Sequence, residues 1–93
     1  MQGVATEKVP GGKLLRIYVD YGEKINSVKI TGDFFLHPEE AVEEIEKSLS
    51  GVKVNTEENL LTSIISNVVS TNKIELIGIT PEAIARVIKG AMR

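Results

Sequence analysis

The chain has 93 residues, 42% of them hydrophobic, and a formal net charge of -2. That suffices for one modest core and a single domain over 1–93, and a chain without a basic excess is a poor match for nucleic acid. With no cysteine, disulfides, thiolate catalysis, Fe–S clusters and zinc–thiolate sites are excluded. The start lacks a signal-like apolar stretch, and no run approaches membrane-spanning length, so the expected setting is cytoplasmic, with no membrane partner.

Val4 to Val9 predicts a first strand. Pro10-Gly11-Gly12 predicts a turn, because proline fixes one φ and glycine admits positive φ beside it. Leu14 to Tyr21 is the clearest strand. Leu15, Ile17, Val19 and Tyr21 alternate with Leu14, Arg16, Tyr18 and Asp20, which gives one apolar and one mixed face. The same alternation puts Tyr18 and Tyr21 on opposite faces, one to pack and one free for a partner. After a turn at Tyr21-Gly22-Glu23-Lys24, Ile25 to Thr31 predicts a third strand with Val28 and Ile30 beside Ile17 and Val19. Spacing this tight predicts a three-stranded antiparallel meander.

The period then changes. Pro38 suits the first turn of a helix, and Glu39 and Glu40 favour its positive end. Ala41, Val42, Ile45 and Leu49 form its apolar stripe, and Gly51 ends it. Glu39, Glu40, Glu43, Glu44 and Glu46 read as its solvated face. Val52-Lys53-Val54 is a linker or a very short strand. Thr56 predicts the N-cap of a second helix with Glu57 and Glu58 in its first turn. Leu60, Leu61, Ile64, Ile65, Val68 and Val69 give it a broad apolar face, and Ser70-Thr71-Asn72 stops it. Ile74 to Ile79 is extended, as an edge strand or a packed connector. Thr80-Pro81-Glu82 starts a third helix, with Ile84, Val87, Ile88 and Ala91 on its buried side. The fold class is α+β: a small antiparallel sheet, with one possible extra short strand, covered on one face by three helices. The other face or an edge is left needing a partner.

Two segments stand out as candidate chemistry. Gly11, Gly12 and Lys13 place an ammonium on a turn whose backbone can approach an anion. The spacing of a Walker loop is absent, and the lysine enters a strand instead of a helix. The ordinary reading is a hairpin with a solvated lysine. The sharper reading is a lysine that reaches a phosphate or carboxylate in a partner's site. Gly32-Asp33-Phe34-Phe35 holds the only two phenylalanines. One can fill the core while the other anchors an interface, and Asp33 can hydrogen-bond the turn backbone. His37 is the sole histidine. It has no second ligand at metal spacing, so no metal site is expected, and a structural place beside Pro38 fits it better than acid–base work. The glutamate pairs of the acidic helix all read as exposed, which does not suit a catalytic carboxylate pair.

Laid end to end, Pro10-Gly11-Gly12-Lys13-Leu14, then Ile30-Thr31-Gly32-Asp33-Phe34-Phe35-Leu36-His37-Pro38, then Ile74-Glu75-Leu76-Ile77-Gly78-Ile79-Thr80-Pro81-Glu82 resemble the accessory, C-terminal domain of lipoate–protein ligases. The form resembled is the one encoded as a separate small subunit. The middle stretch is the more specific mark, and the likeness spans nearly the whole chain. The resemblance implies a ligase that activates lipoate with ATP as lipoyl-adenylate and then transfers the acyl group to a lysine of acyl-carrier domains. It implies a large catalytic subunit as heterodimer partner, lipoyl acyl-carrier domains as indirect partners, and ATP, Mg2+ and lipoate in the complex with none bound by this chain alone. The accessory domain is needed mainly for adenylation and is not active alone. Arg-Arg and triple-glycine stretches, marks of the large domain's lipoyl-binding region, are absent from this sequence. Within that frame Lys13 is expected to assist adenylation, Gly11, Gly12 and Lys13 to meet a phosphate or carboxylate in the partner's site, and Asp33, Phe34, Phe35 and His37 to form interface. Two other readings stay open: an interaction module that stabilises its partner with no residue in an active site, and a small RNA-binding domain. The second lacks a clustered basic and aromatic surface.

Overall fold

The computed structural model describes residues 1–11 and 13–93; Gly12 lies outside the described residues. Three strands, β1 (Gln2–Lys8), β2 (Leu14–Tyr21) and β3 (Ile25–Gly32), form an antiparallel meander in the order β1-β2-β3. β2 has the expected boundaries, whereas β1 begins two residues before Val4 and stops one before Val9. The alternation of β2 sends Leu15, Ile17, Val19 and Tyr21 into the core and leaves Tyr18 exposed on the other face. Register places Ile17 opposite Ile30 and Val19 opposite Val28, so the inward residues of adjacent strands stack as cross-strand pairs. A bulge between Asp20 and Tyr21 shifts the register before Ile25.

The helices are α1 (Val42–Leu49), α2 (Glu58–Thr71) and α3 (Pro81–Ala91). α1 lies against β3, α3 lies against β1 and β2, and α2 packs against both of the other helices. Leu15, Ile17, Ile25, Ile45, Leu49, Leu61, Ile65, Ile84 and Ile88 form the fully enclosed centre. α3 comes close to β1 because the residues between them are small. A Cβ added to Gly3 would fall 1.7 Å from the Ala91 carbonyl oxygen, and one added to Gly90 would rest 3.6 Å from the Ala5 Cβ.

Helix starts divide by their caps. Thr80 caps α3 as expected, its Oγ1 accepting the Ala83 N–H at 3.1 Å, with Pro81 first in the helix. Thr56 does not cap α2. Its N–H donates to Lys53 O at 3.1 Å, and its carbonyl accepts Lys89 Nζ at 2.9 Å. The chain is thus still turning at Thr56, and Glu57 is the cap, without a side-chain hydrogen bond. Pro38 also sits one position outside its helix. It precedes a 3-10 turn, Glu39–Ala41, that leads into α1, and the His37–Pro38 peptide is cis.

Of the acidic face, Glu39, Glu40, Glu43 and Glu44 are exposed, but Glu46 is half-buried and its Oε2 accepts the Ile30 N–H at 2.8 Å. Val52 to Val54 lies along the β2–β3 turn through Ile25 N to Val52 O (2.7 Å) and Val54 N to Glu23 O (3.1 Å), with a single bridge between Lys24 and Lys53. The segment Ile74 to Ile79 contributes β5 (Glu75–Ile77), which pairs antiparallel with β4 (Phe35–His37) as a separate two-stranded ribbon. Phe35 faces Ile77, Leu36 faces Leu76, and His37 faces Glu75.

Candidate functional site

The three segments singled out in the sequence meet at one end of the molecule. Val9 N–H donates to Lys13 O at 2.8 Å and closes the β1–β2 hairpin, where Gly11 takes φ +98. Only glycine enters that region without strain. Asp33 fixes the base of the same turn. Its Oδ1 accepts the Leu14 N–H, and its own N–H donates to Leu14 O at 3.1 Å. Both bonds fall on the residue after Lys13, so Asp33 holds the lysine's backbone in place.

The Lys13 side chain runs across Gly78. A Cβ on Gly78 would lie 2.8 Å from Lys13 Cγ and 3.5 Å from Cδ and Cε. Gly78 also has φ +93. Conformation and space therefore demand glycine at this position together. Beyond the glycine, Lys13 Nζ stands 5.9 Å from the centre of the Phe35 ring, within cation–π range. Among the described residues no carboxylate lies within ion-pair distance of that ammonium. The charge is held on an apolar platform and left unneutralised.

The two phenylalanines divide their work. Phe34 is half-buried and packs on the core. Phe35 is 59% exposed, and its cross-strand partner Ile77 is 47% exposed. His37 and Glu75, the next exposed pair along the ribbon, continue this surface in polar form. Phe35 and Ile77 thus make an exposed apolar patch, with the half-buried Lys13 carrying a cation at its edge. Ile77 and Gly78 did not stand out in the sequence as site residues. Their signal was their place in the third stretch that carries the family resemblance, which gave neither of them a role.

The patch presents a positive charge beside apolar surface. The hydroxyls of Thr31, Ser48, Ser50, Thr62 and Ser63 each donate to a backbone carbonyl, with no imidazole or carboxylate placed to activate them. Among the described residues no three His, Asp or Glu side chains gather as metal ligands.

Comparison with known proteins gives this surface a context. No curated protein matches the chain. A chain in the structure described as an archaeal lipoylation system, a bi-partite lipoate protein ligase and its E2 lipoyl domain from Thermoplasma acidophilum, is similar at a TM-score of 0.78 and 25% identity, over 95% of this chain and 94% of that one. The family model for the bacterial lipoate protein ligase C-terminus matches residues 5–88. The chain belongs to that family, and its part in a lipoate–protein ligase system is accessory and non-catalytic.

Proposed function

We propose that this chain works beside a separate catalytic chain and completes that chain's site for the adenylation half-reaction. In that step a lipoate carboxylate oxygen attacks the α-phosphorus of ATP, a P–O bond forms, and pyrophosphate leaves. Negative charge is concentrated on the phosphates and on the incoming carboxylate. A fixed cation brought by a second domain offsets it, and the apolar surface around that cation excludes water from the mixed anhydride. Lys13 is the cation, Gly11 shapes its turn, and Phe35 and Ile77 are the surrounding apolar contact. Mg2+ would travel with the nucleotide in the catalytic chain. In the second half-reaction a carrier-domain lysine attacks the acyl carbon and AMP leaves. That step has less phosphate charge to offset and draws less on Lys13.

The observation that carries this reading is the unneutralised Lys13 ammonium beside exposed Phe35 and Ile77. It supports delivery of charge to an anion held elsewhere. The test is Lys13→Ala with each half-reaction measured alone. Lipoate-dependent pyrophosphate release should fall about tenfold to a hundredfold, while transfer from preformed lipoyl-adenylate changes little. A loss of equal size in both steps would remove the assigned role. Normal adenylation by a well-bound Lys13→Ala complex would favour a purely stabilising module.

A further inference from the structure

The two edges of the main sheet are finished differently. On β3, the Ile30 N–H is taken by Glu46 Oε2 at 2.8 Å, and Asn26 O accepts Ser50 Oγ at 3.1 Å. Beside them Ile25 exchanges hydrogen bonds with the segment after α1: Gly51 N to Ile25 O at 2.7 Å and Ile25 N to Val52 O at 2.7 Å. That edge is covered at Ile25, Asn26 and Ile30 by the chain itself. β1 has no such cover. Val9 N–H donates to Lys13 O, and Tyr21 N–H donates to Met1 O, each at 2.8 Å. In an antiparallel pair the bonding residues alternate. Odd-numbered residues therefore turn their backbone groups toward β2, and Gln2, Val4, Thr6 and Lys8 turn theirs outward. All four are exposed, and among the described residues nothing outside β2 hydrogen-bonds to their backbone.

We infer that this open β1 edge receives an extended segment of the catalytic chain as a fourth strand. The inference rests on the reading that the chain works beside such a partner. A row of outward backbone donors and acceptors is matched only by another extended backbone. The side chains define the rest of the partner. Val4 is 54% exposed and stands opposite Tyr18, 45% exposed, in the β1–β2 register. An apolar residue set against Val4 would extend that row across the new strand. Lys8 makes no ion pair among the described residues and would take a carboxylate opposite it.

A second copy of this chain fits less well. Two-fold pairing about Ala5 uses the whole edge but sets Val4 against Thr6 and Lys8 against Gln2. The register that brings Val4 onto Val4 leaves the Lys8 backbone unpaired. A lysine at a sheet edge is also a common guard against self-pairing.

Amide hydrogen exchange followed by NMR, on the chain alone and with the catalytic chain, tests the inference. The Val4, Thr6 and Lys8 amides should exchange about tenfold or more slowly in the complex, while Ile30 is protected in both states. Thr6→Pro removes an outward donor and no backbone bond to β2; it also gives up the exposed hydrogen bond from Arg16 Nε to Thr6 Oγ1, so Thr6→Val, which loses that bond and keeps the donor, is its control. Thr6→Pro should leave the fold intact and weaken association about tenfold or more relative to Thr6→Val. A complex that forms with these amides still exchanging freely would overturn the edge assignment and leave the subunit reading standing. Failure to form any complex would overturn the subunit reading and the edge assignment with it. Protection that grows with the concentration of the chain alone would show self-pairing and reject the chosen occupant.

Discussion

Lys13 owes its position to residues far from it in sequence. Asp33 holds the backbone next to it, Gly78 gives room to its aliphatic stem, and Phe35 stands beneath its ammonium. Gly78 is therefore as much a determinant of the patch as the lysine. Gly78→Ala should destabilise the chain by about 1–2 kcal/mol, because alanine is strained at positive φ, and should displace Lys13 as well. Adenylation should then fall nearly as far as in Lys13→Ala, with the double variant little slower than either single one. Denaturation midpoints and pyrophosphate release would measure the two effects separately, and an unchanged rate in Gly78→Ala would show that the lysine needs no such slot. The turn at Pro10 and Gly11 was legible because its cause is local. Gly78 was not, since the reason for it lies on a different strand.

At the level of elements, the sequence was most legible where local chemistry acts alone. The alternation of Leu14 to Tyr21 and the Thr80-Pro81 start of α3 describe themselves. Thr56 misled because the turn at Lys53 and the reach of Lys89 hold its backbone outside the helix. β4 went unseen because three residues are too few for a period, and its partner comes much later in the chain. Glu46 read as solvated because its use is to satisfy a strand edge. The contact of α3 with β1 has its own ion pair. Arg86 Nε donates to Glu7 Oε1 at 2.9 Å, and Nη2 donates to Oε2. The Arg86 hydrogen bonds, opposed by burial and aided by its charge, hold the Glu7 carboxyl below the usual carboxylate range. A lowered pKa gives stability that is present above the unfolded value, about 4.3, and is lost as pH falls through the folded value. Arg86→Ala should cost about 0.5–1 kcal/mol near pH 7, as for a partly exposed pair. The gap from the parent should narrow as pH falls below the unfolded value and close once pH has passed the lowered folded value. Urea unfolding at neutral and low pH checks this, and a gap of equal size at low pH would show that the arginine acts through packing instead.

Taken whole, the molecule keeps its enclosed interior under one face of the sheet and leaves three features outside: the Tyr18–Val4 face, the β1 edge, and the Lys13–Phe35–Ile77 patch. The α+β class and the helix-covered face were legible, because alternation and helical spacing report burial directly. Which exposed features belong together was not, because separation in sequence hides proximity in space. An uncovered sheet face, an open edge and an unneutralised cation suit a part that another chain completes. The central claim is tested most directly by lipoate-dependent pyrophosphate release from the catalytic chain, measured with and without this one. The account predicts that release is slow without this chain and is restored on adding it, but not on adding the Lys13→Ala form. Full-rate release by the catalytic chain alone would contradict it.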